Sequence, residues 1–239
     1  MRVFYGLIIT AVILMIGACA LKAYKKEGAL ARVVFLYELG AFICGIIFLV
    51  YTYVPGTTIT VLCKGLIMAS FDWLLVLLMY YTQYYTGMFK GVVGVKVFMI
   101  AYSLLETVAF LINTWTRWIF DITDISGDQI IVQFAKGNVL GRLHYVFAYG
   151  IMLLLILSYI VMVKRMSRFY RFRYFAILIL LFAAFSLDIM TTWSDSIYDM
   201  SMVAFGIMSV LIYYLTYRYV PNELIENTFS LIILSLIHI

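Results

Sequence analysis

Long apolar runs separated by short polar stretches dominate the chain, and they predict seven membrane-spanning helices. Each run is close to or above the roughly 20 residues that an α-helix needs to cross about 30 Å of hydrocarbon. The fold class predicted by this pattern is an all-α polytopic membrane protein, a seven-transmembrane helix bundle. The predicted spans are Phe4 to Leu21, Val33 to Val54, Ile59 to Tyr85, Val92 to Ile112, Leu143 to Val163, Tyr174 to Thr192 and Met200 to Tyr217.

The composition supports the membrane interpretation and limits what the net charge can mean. Hydrophobic residues make up 66% of the chain and charged residues only 12%, which is too apolar for a soluble domain. The formal net charge of +5 therefore indicates orientation in a bilayer, and we do not interpret it as a nucleic-acid binding surface.

The polar connections alternate between basic and acidic, and this alternation predicts the orientation. The connection from Lys164 to Arg173 carries only cations, whereas the loop from Asn113 to Arg142 holds Asp121, Asp124 and Asp128. Lys and Arg near membrane ends are retained in the cytoplasm. We therefore expect a multi-pass protein of the cell (plasma) membrane with its amino terminus outside and its carboxyl terminus in the cytoplasm.

The loop from Asn113 to Arg142 is the only predicted connection long enough to fold by itself. Trp118 to Thr123 and Gln129 to Phe134 are rich in residues that favour strands, and Ser126-Gly127-Asp128 between them is typical of a turn. The pattern predicts a short extracellular β-hairpin. The hairpin would be either a structural lid or a cover over a ligand cavity between the helices.

Charged residues inside the predicted spans mark a candidate intramembrane polar site. They are Glu38, Lys64, Asp72, Glu106 and Asp188. An ionised group near the bilayer centre costs at least roughly 2.5–3.5 kcal/mol on insertion scales, so these side chains should face the bundle. Lys64 lies at a depth similar to Glu106 and Asp188, which predicts an ion pair with one of them. Asp72 lies about 12 Å deeper than Lys64 along the helix and needs another partner.

These charges leave three interpretations open: buried pairs that fix helix register, a pocket for a small polar ligand, and a transport path or proton relay. No catalytic motif, Gly-rich phosphate loop or metal-type spacing of His and Cys occurs in the sequence, and the last span has no lysine for retinal. We therefore predict no catalytic, cofactor-binding or metal-binding residues and no enzymatic activity for this chain. His144 is interpreted as a residue at the start of the fifth helix.

Three segments resemble one family of signalling proteins. Ser70 to Gly87 is an apolar helix ending in an aromatic stretch with Tyr-Thr-Gly, Gly137 to Tyr149 leads into the fifth span, and Tyr217 to Leu224 leaves the seventh. In order and position these segments are similar to the amino-terminal seven-transmembrane sensor region of bacterial histidine kinases and GGDEF diguanylate cyclases. The resemblance implies a sensor domain over residues 1–217, and a cytoplasmic linker over residues 218–239 that leads toward an output domain missing from this sequence.

The resemblance implies a function in signal transduction. The chain would be the input module of a histidine kinase, as in two-component systems, or of a diguanylate cyclase, and its seventh helix would relay a stimulus to the cytoplasmic output domain. Its expected partners are the lipid bilayer, a small-molecule ligand at the outer face, that output domain and a second copy of the chain. The alternative is a small transporter or permease that uses the intramembrane charges. A kinase or GGDEF reading frame downstream of the codon for Ile233 would favour the sensor.

Overall fold

Seven helices and a pair of strands make up the part of the chain that the computed structural model describes, residues 2–126, 129–135, 138–166, 168–193 and 200–217. Six helices are long and apolar enough to cross a membrane, and the seventh is shorter. This architecture is compatible with an all-α polytopic membrane protein. The helices are α1 (Arg2–Tyr24), α2 (Ala29–Tyr53), α3 (Thr57–Thr86), α4 (Val93–Thr116), α5 (Val139–Arg165), α6 (Arg168–Trp193) and α7 (Met200–Tyr217).

Local signals explain where the helices near the candidate site begin and end. The side chain of Asn138 accepts hydrogen bonds from the backbone N–H groups of Leu140 and Gly141 and so caps the start of α5. Gly87 has a φ of 77°, a left-handed conformation that glycine adopts without steric cost, and it ends α3. α5 therefore starts about one turn before the predicted Leu143.

Helix packing divides the bundle into two halves, one of α3, α4 and α5 and the other of α1, α2, α6 and α7. α3 packs against α2, α4 and α5, whereas α7 packs against α1, α2 and α6. One apolar core extends through both halves, and its largest fully buried members include Tyr37, Tyr81, Tyr159 and Met208. The two halves thus meet where α3 packs against α2 and where α5 packs against α6.

Two basic residues show which connections share an end of the bundle. Lys26, between α1 and α2, lies over the ring of Tyr217 at the end of α7, 6.0 Å from its centroid. Lys96, near the start of α4, lies 5.7 Å from the ring centroid of Tyr80 on α3. The α1–α2 connection therefore lies at the same end of the bundle as the last residue of α7. The orientation of that end relative to the membrane stays a prediction.

Strands β1 (Phe120–Ser126) and β2 (Gln129–Phe134) pair antiparallel, with Phe120 opposite Phe134 and an irregularity between Ile122 and Asp124. A second, smaller core packs this pair on α3 and α4; its buried residues are Val61, Ala69, Phe110, Ile119, Phe120 and Val132. The predicted turn residues Gly127 and Asp128 and the predicted linker 218–239 lie outside the described residues. That the strands lie on the outer face stays a prediction.

Candidate functional site

Three helices bring two carboxylates and an imidazole together in the interior of the bundle. Nδ1 of His144 on α5 lies 3.2 Å from Oε2 of Glu106 on α4 and 3.5 Å from Oδ2 of Asp72 on α3. Asp72 is 0% exposed, and Glu106 and His144 are each 4% exposed. We call these three residues the acid–imidazole cluster.

The helical repeat explains how α4 directs Glu106 inward. Met99, Ser103, Glu106, Phe110 and Asn113 are buried on α4 at spacings of three and four residues, so they form one stripe along the helix. This stripe faces α3, and Glu106 lies at its centre. Inside a bilayer, the polar partners of such a residue have to come from its own helix or from neighbouring helices.

A close approach of α3 and α4 brings Asp72 to the same level as Glu106. A Cβ atom at Gly65 of α3 would lie 3.2 Å from the backbone oxygen of Phe110, so a glycine keeps the two helices close. Farther along, the indole N–H of Trp73 donates to Thr107 at 3.1 Å. These contacts fix the register between the helices on either side of the cluster.

Aromatic side chains surround the imidazole. The ring centroids of Phe110, Phe134 and Tyr145 lie 5.7, 5.9 and 5.7 Å from that of His144. Phe134 belongs to β2, so the strand pair contributes one wall of the site. The hydroxyl of Tyr102 donates to Oε1 of Glu106 at 2.9 Å. The cluster therefore lies in an apolar environment where electrostatic interactions are stronger than in water.

The cluster has more hydrogen-bond acceptors than donors. Neither carboxylate oxygen of Asp72 has a hydrogen-bond partner, because the contact of Oδ2 with His144 is long. The buried hydroxyl of Ser103, one turn before Glu106, is also without a partner. A buried polar group left unsatisfied costs about 1–3 kcal/mol, more when it is charged. The arrangement thus retains acceptor capacity for a proton, a water molecule or a cation.

Chemically, the cluster can exchange a proton among its three members, and it can hold a metal ion. Each residue offers one ligand atom, and these atoms lie within 4.8 Å of one another. Imidazole nitrogen and carboxylate oxygen are common ligands of divalent first-row metals in proteins. Asp72, Glu106 and His144 are therefore the described residues that would hold a metal.

One of the sequence-based expectations requires correction. His144 is not at the mouth of its helix: α5 begins at Val139, and the imidazole is buried in its second turn. The carboxylate of Glu106 contacts His144 and Tyr102, and the predicted ion pair of Lys64 with Glu106 or Asp188 stays a prediction. The partner that Asp72 was expected to need is His144.

The other predicted site residues are not members of the acid–imidazole cluster as defined above. Lys64 on α3 and Asp188 on α6 are half-buried, and their pairing with each other stays a prediction. Glu38 on α2 is fully buried, and its Oε2 accepts a 2.6 Å hydrogen bond from the hydroxyl of Ser209 on α7. Glu38 therefore connects helices of the other half of the bundle.

The residue that sequence reasoning missed is His144, and a signal for it was present. Gly141, His144, Phe147 and Ile151 are buried on α5 at spacings of three and four residues. A histidine on such an inward stripe needs a polar partner, and the two carboxylates on α3 and α4 are available. Separations of 34 residues between Asp72 and Glu106 and 38 between Glu106 and His144 hide the cluster from any search for closely spaced ligands.

Comparison of the chain with protein-family models finds no match, and comparison with curated proteins finds none either. The resemblance to seven-transmembrane sensor regions therefore rests on the three sequence segments named above. The geometry of the cluster and the contact of α3 with α7 are the structural basis for a functional proposal.

Proposed function

We propose that this chain is the membrane-embedded input module of a bacterial signal-transduction protein. A stimulus acts on the acid–imidazole cluster, and α7 relays the change to a cytoplasmic output domain. The sequence resemblance supports a histidine kinase or a diguanylate cyclase as that output. The charge alternation of the connections supports an outer amino terminus and a cytoplasmic carboxyl end.

The observation that carries this proposal is that α3 contains both Asp72 of the cluster and Tyr81, which is hydrogen-bonded to the last turn of α7. Asp72 and Tyr81 are nine residues apart on α3, about 13.5 Å along the axis. The hydroxyl groups of Tyr81 and Thr216 lie 3.1 Å apart, and both residues are buried. A displacement of α3 at Asp72 is therefore transmitted to the end of α7.

A physical reason for such a displacement lies in the charges of the cluster. Asp72 and Glu106 repel each other when both are ionised, and a proton or cation between them replaces repulsion by attraction. Occupation of the cluster thus favours a different spacing of α3 and α4. Because packed interiors change between discrete arrangements rather than deform continuously, a small local change becomes a shift between two bundle states.

The test measures the distance between α3 and α7 by pulsed electron resonance in nanodiscs. Spin labels are placed at Tyr84→Cys and Tyr214→Cys, two positions that are 46% and 42% exposed, after the buried native cysteines are replaced. We expect Asp72→Asn to shift the distance distribution. Glu27→Gln is the control, because it neutralises an exposed acid in the α1–α2 connection, and it should leave the distribution unchanged.

A further variant separates relay from general distortion. Thr216→Val keeps the side-chain shape but removes the hydroxyl that contacts Tyr81, so it should reduce the shift caused by Asp72→Asn. If Asp72→Asn and His144→Leu both leave the distribution unchanged, the sensor proposal fails. Solute flux into proteoliposomes that depends on Asp72 would then favour the transporter.

A further inference from the structure

We propose that the acid–imidazole cluster is a binding site for one divalent first-row transition-metal ion such as Zn²⁺. Asp72, Glu106 and His144 supply one ligand atom each, and water completes the coordination. The inference deepens the proposed function and rests on it for the role of the ion as the sensed ligand. Metal binding itself rests on the geometry alone.

The separations between the ligand atoms fit a central metal ion. Zn²⁺ binds imidazole nitrogen and carboxylate oxygen at about 2.0–2.2 Å in tetrahedral sites, which places neighbouring ligand atoms roughly 3.3–3.6 Å apart. The distances from Nδ1 of His144 to the carboxylates of Glu106 and Asp72 are 3.2 and 3.5 Å. All three ligand atoms lie within 4.8 Å of one another, so a small rotation of either carboxylate completes the site.

Charge balance in the apolar interior favours an ion at this position. Two carboxylates with a neutral imidazole carry a charge of −2, which a divalent cation cancels completely. Burying uncompensated charge is costly, and one Nδ1 proton together with the Tyr102 hydroxyl cannot serve all four carboxylate oxygens. Neither oxygen of fully buried Asp72 accepts a hydrogen bond, and its Oδ2 has only the 3.5 Å contact with His144; this independent observation indicates a missing ligand.

The ligand set decides the class of ion. Mg²⁺ and Ca²⁺ prefer oxygen ligands alone, whereas imidazole favours first-row transition metals. The three cysteines belong to α1, α2 and α3 and are not in the cluster, so thiolate-selective ions such as Cu⁺ are not favoured. Tyr102 binds the second oxygen of Glu106 and orients that carboxylate, as outer partners of metal ligands commonly do.

The binding test uses the full chain in nanodiscs, with the purification tag removed and the metal stripped by a chelator. Zn²⁺ is added, excess ion is removed by desalting, and bound zinc is measured by mass spectrometry. We expect one ion per chain. Asp72→Asn, Glu106→Gln and His144→Leu should each lower the affinity by at least about tenfold, and Tyr102→Phe by about tenfold.

Two control variants test whether the effect belongs to the cluster. Glu38→Gln changes the other fully buried carboxylate, and His238→Ala removes the only other histidine of the chain. Both should bind Zn²⁺ like the parent chain. Co²⁺ gives a second readout, because loss of the nitrogen ligand in His144→Leu should change its visible absorption spectrum.

Failure of the metal site and failure of the sensor are distinguishable. A parent chain that retains neither Zn²⁺ nor Co²⁺, or a His144→Leu variant that retains as much as the parent, overturns the metal site; the sensor then stands with a proton or another ligand as the stimulus. Zn²⁺ binding without any change in the α3–α7 label distance overturns the sensory role and leaves the metal site. We expect binding together with a shift that Thr216→Val reduces.

Discussion

Two buried acidic sites in this bundle differ in a way that separates packing from chemistry. Glu38 joins α2 to α7 through one hydroxyl donor, Ser209, and its second oxygen has no partner. In the acid–imidazole cluster, two carboxylates meet one imidazole, and three helices contribute. A single carboxyl can fix the register of two helices, but it offers no second ligand for an ion. Three groups on three helices can respond to an added charge by moving those helices.

The surroundings of the two sites differ as well. At Glu38 the structure gives one hydrogen bond, from the hydroxyl of Ser209. The cluster instead has aromatic walls, one of them from the strand pair. Among the described residues, the group that could hold a metal ion lies in the half of the bundle that packs against the strands, and α7 belongs to the other half.

The largest difference that we expect is in labelling from outside the cell, which reports the side of the membrane on which the strand pair lies. This difference should be all-or-none. A membrane-impermeant maleimide added to intact cells should modify Ser126→Cys and should not modify Ser167→Cys, because the connection containing Ser167 is basic and expected in the cytoplasm. The three native cysteines are buried and provide little background. Ser167→Cys should react after permeabilisation. The reverse pattern would invert the orientation and place the cluster near the cytoplasm.

The largest energetic difference should appear when each site loses its partner. His144→Leu leaves the carboxylates of Asp72 and Glu106 facing each other, and breaking such a buried pair costs about 3–5 kcal/mol. Glu38→Gln keeps the shape and still accepts the Ser209 hydrogen bond, so its cost should stay below about 1.5 kcal/mol. The measurement is unfolding free energy or thermal stability in detergent.

A combined variant tests why His144 matters. His144→Leu together with Asp72→Asn and Glu106→Gln removes the charges as well as the imidazole. This triple variant should be more stable than His144→Leu alone, because no uncompensated carboxylate remains. A triple variant less stable than the single one would mean that packing, and not charge, holds His144 in place.

A smaller difference is expected from two glycines, one in each half of the bundle. A Cβ atom at Gly141 would lie 2.6 Å from the ring of Phe134, and one at Gly45 would lie 2.6 Å from Ile13. The ring of Phe134 has to move as a unit, whereas Ile13 can be relieved by a change of one side-chain rotamer. We expect Gly141→Ala to cost about 1–3 kcal/mol and Gly45→Ala less. Only Gly141→Ala should also alter Zn²⁺ affinity, because Phe134 is a wall of the cluster.

Hydropathy predicted the helices well because a membrane span needs a long apolar run wherever it lies in a fold. The ends were less certain, because local caps such as Asn138 extend helices beyond the apolar run. Because of this extension, His144 lies in the second turn of α5 and not at its start. α4 likewise ends at Thr116 rather than at Ile112, which places Glu106 about 6 Å deeper than the sequence suggested. Counting residues from the predicted helix ends therefore placed Glu106 at the depth of Lys64. The packing of α3 on α4 instead places Glu106 beside Asp72.

The smallest effect that we expect concerns the ion pair that the sequence predicts for Lys64. The contacts of the cluster do not test this ion pair. Lys64 and Asp188 are both half-buried, so their interaction should contribute about 0.5–1 kcal/mol, less than that of a fully buried pair. A double-mutant cycle of Lys64→Met with Asp188→Asn, read by thermal stability, should therefore show coupling of that size. The matched cycle with Glu106→Gln should be additive, because His144 and Tyr102 already hold that carboxylate. Coupling to Glu106 instead of Asp188 would mean that Lys64 belongs to the cluster and that its charge reduces the need for a bound cation.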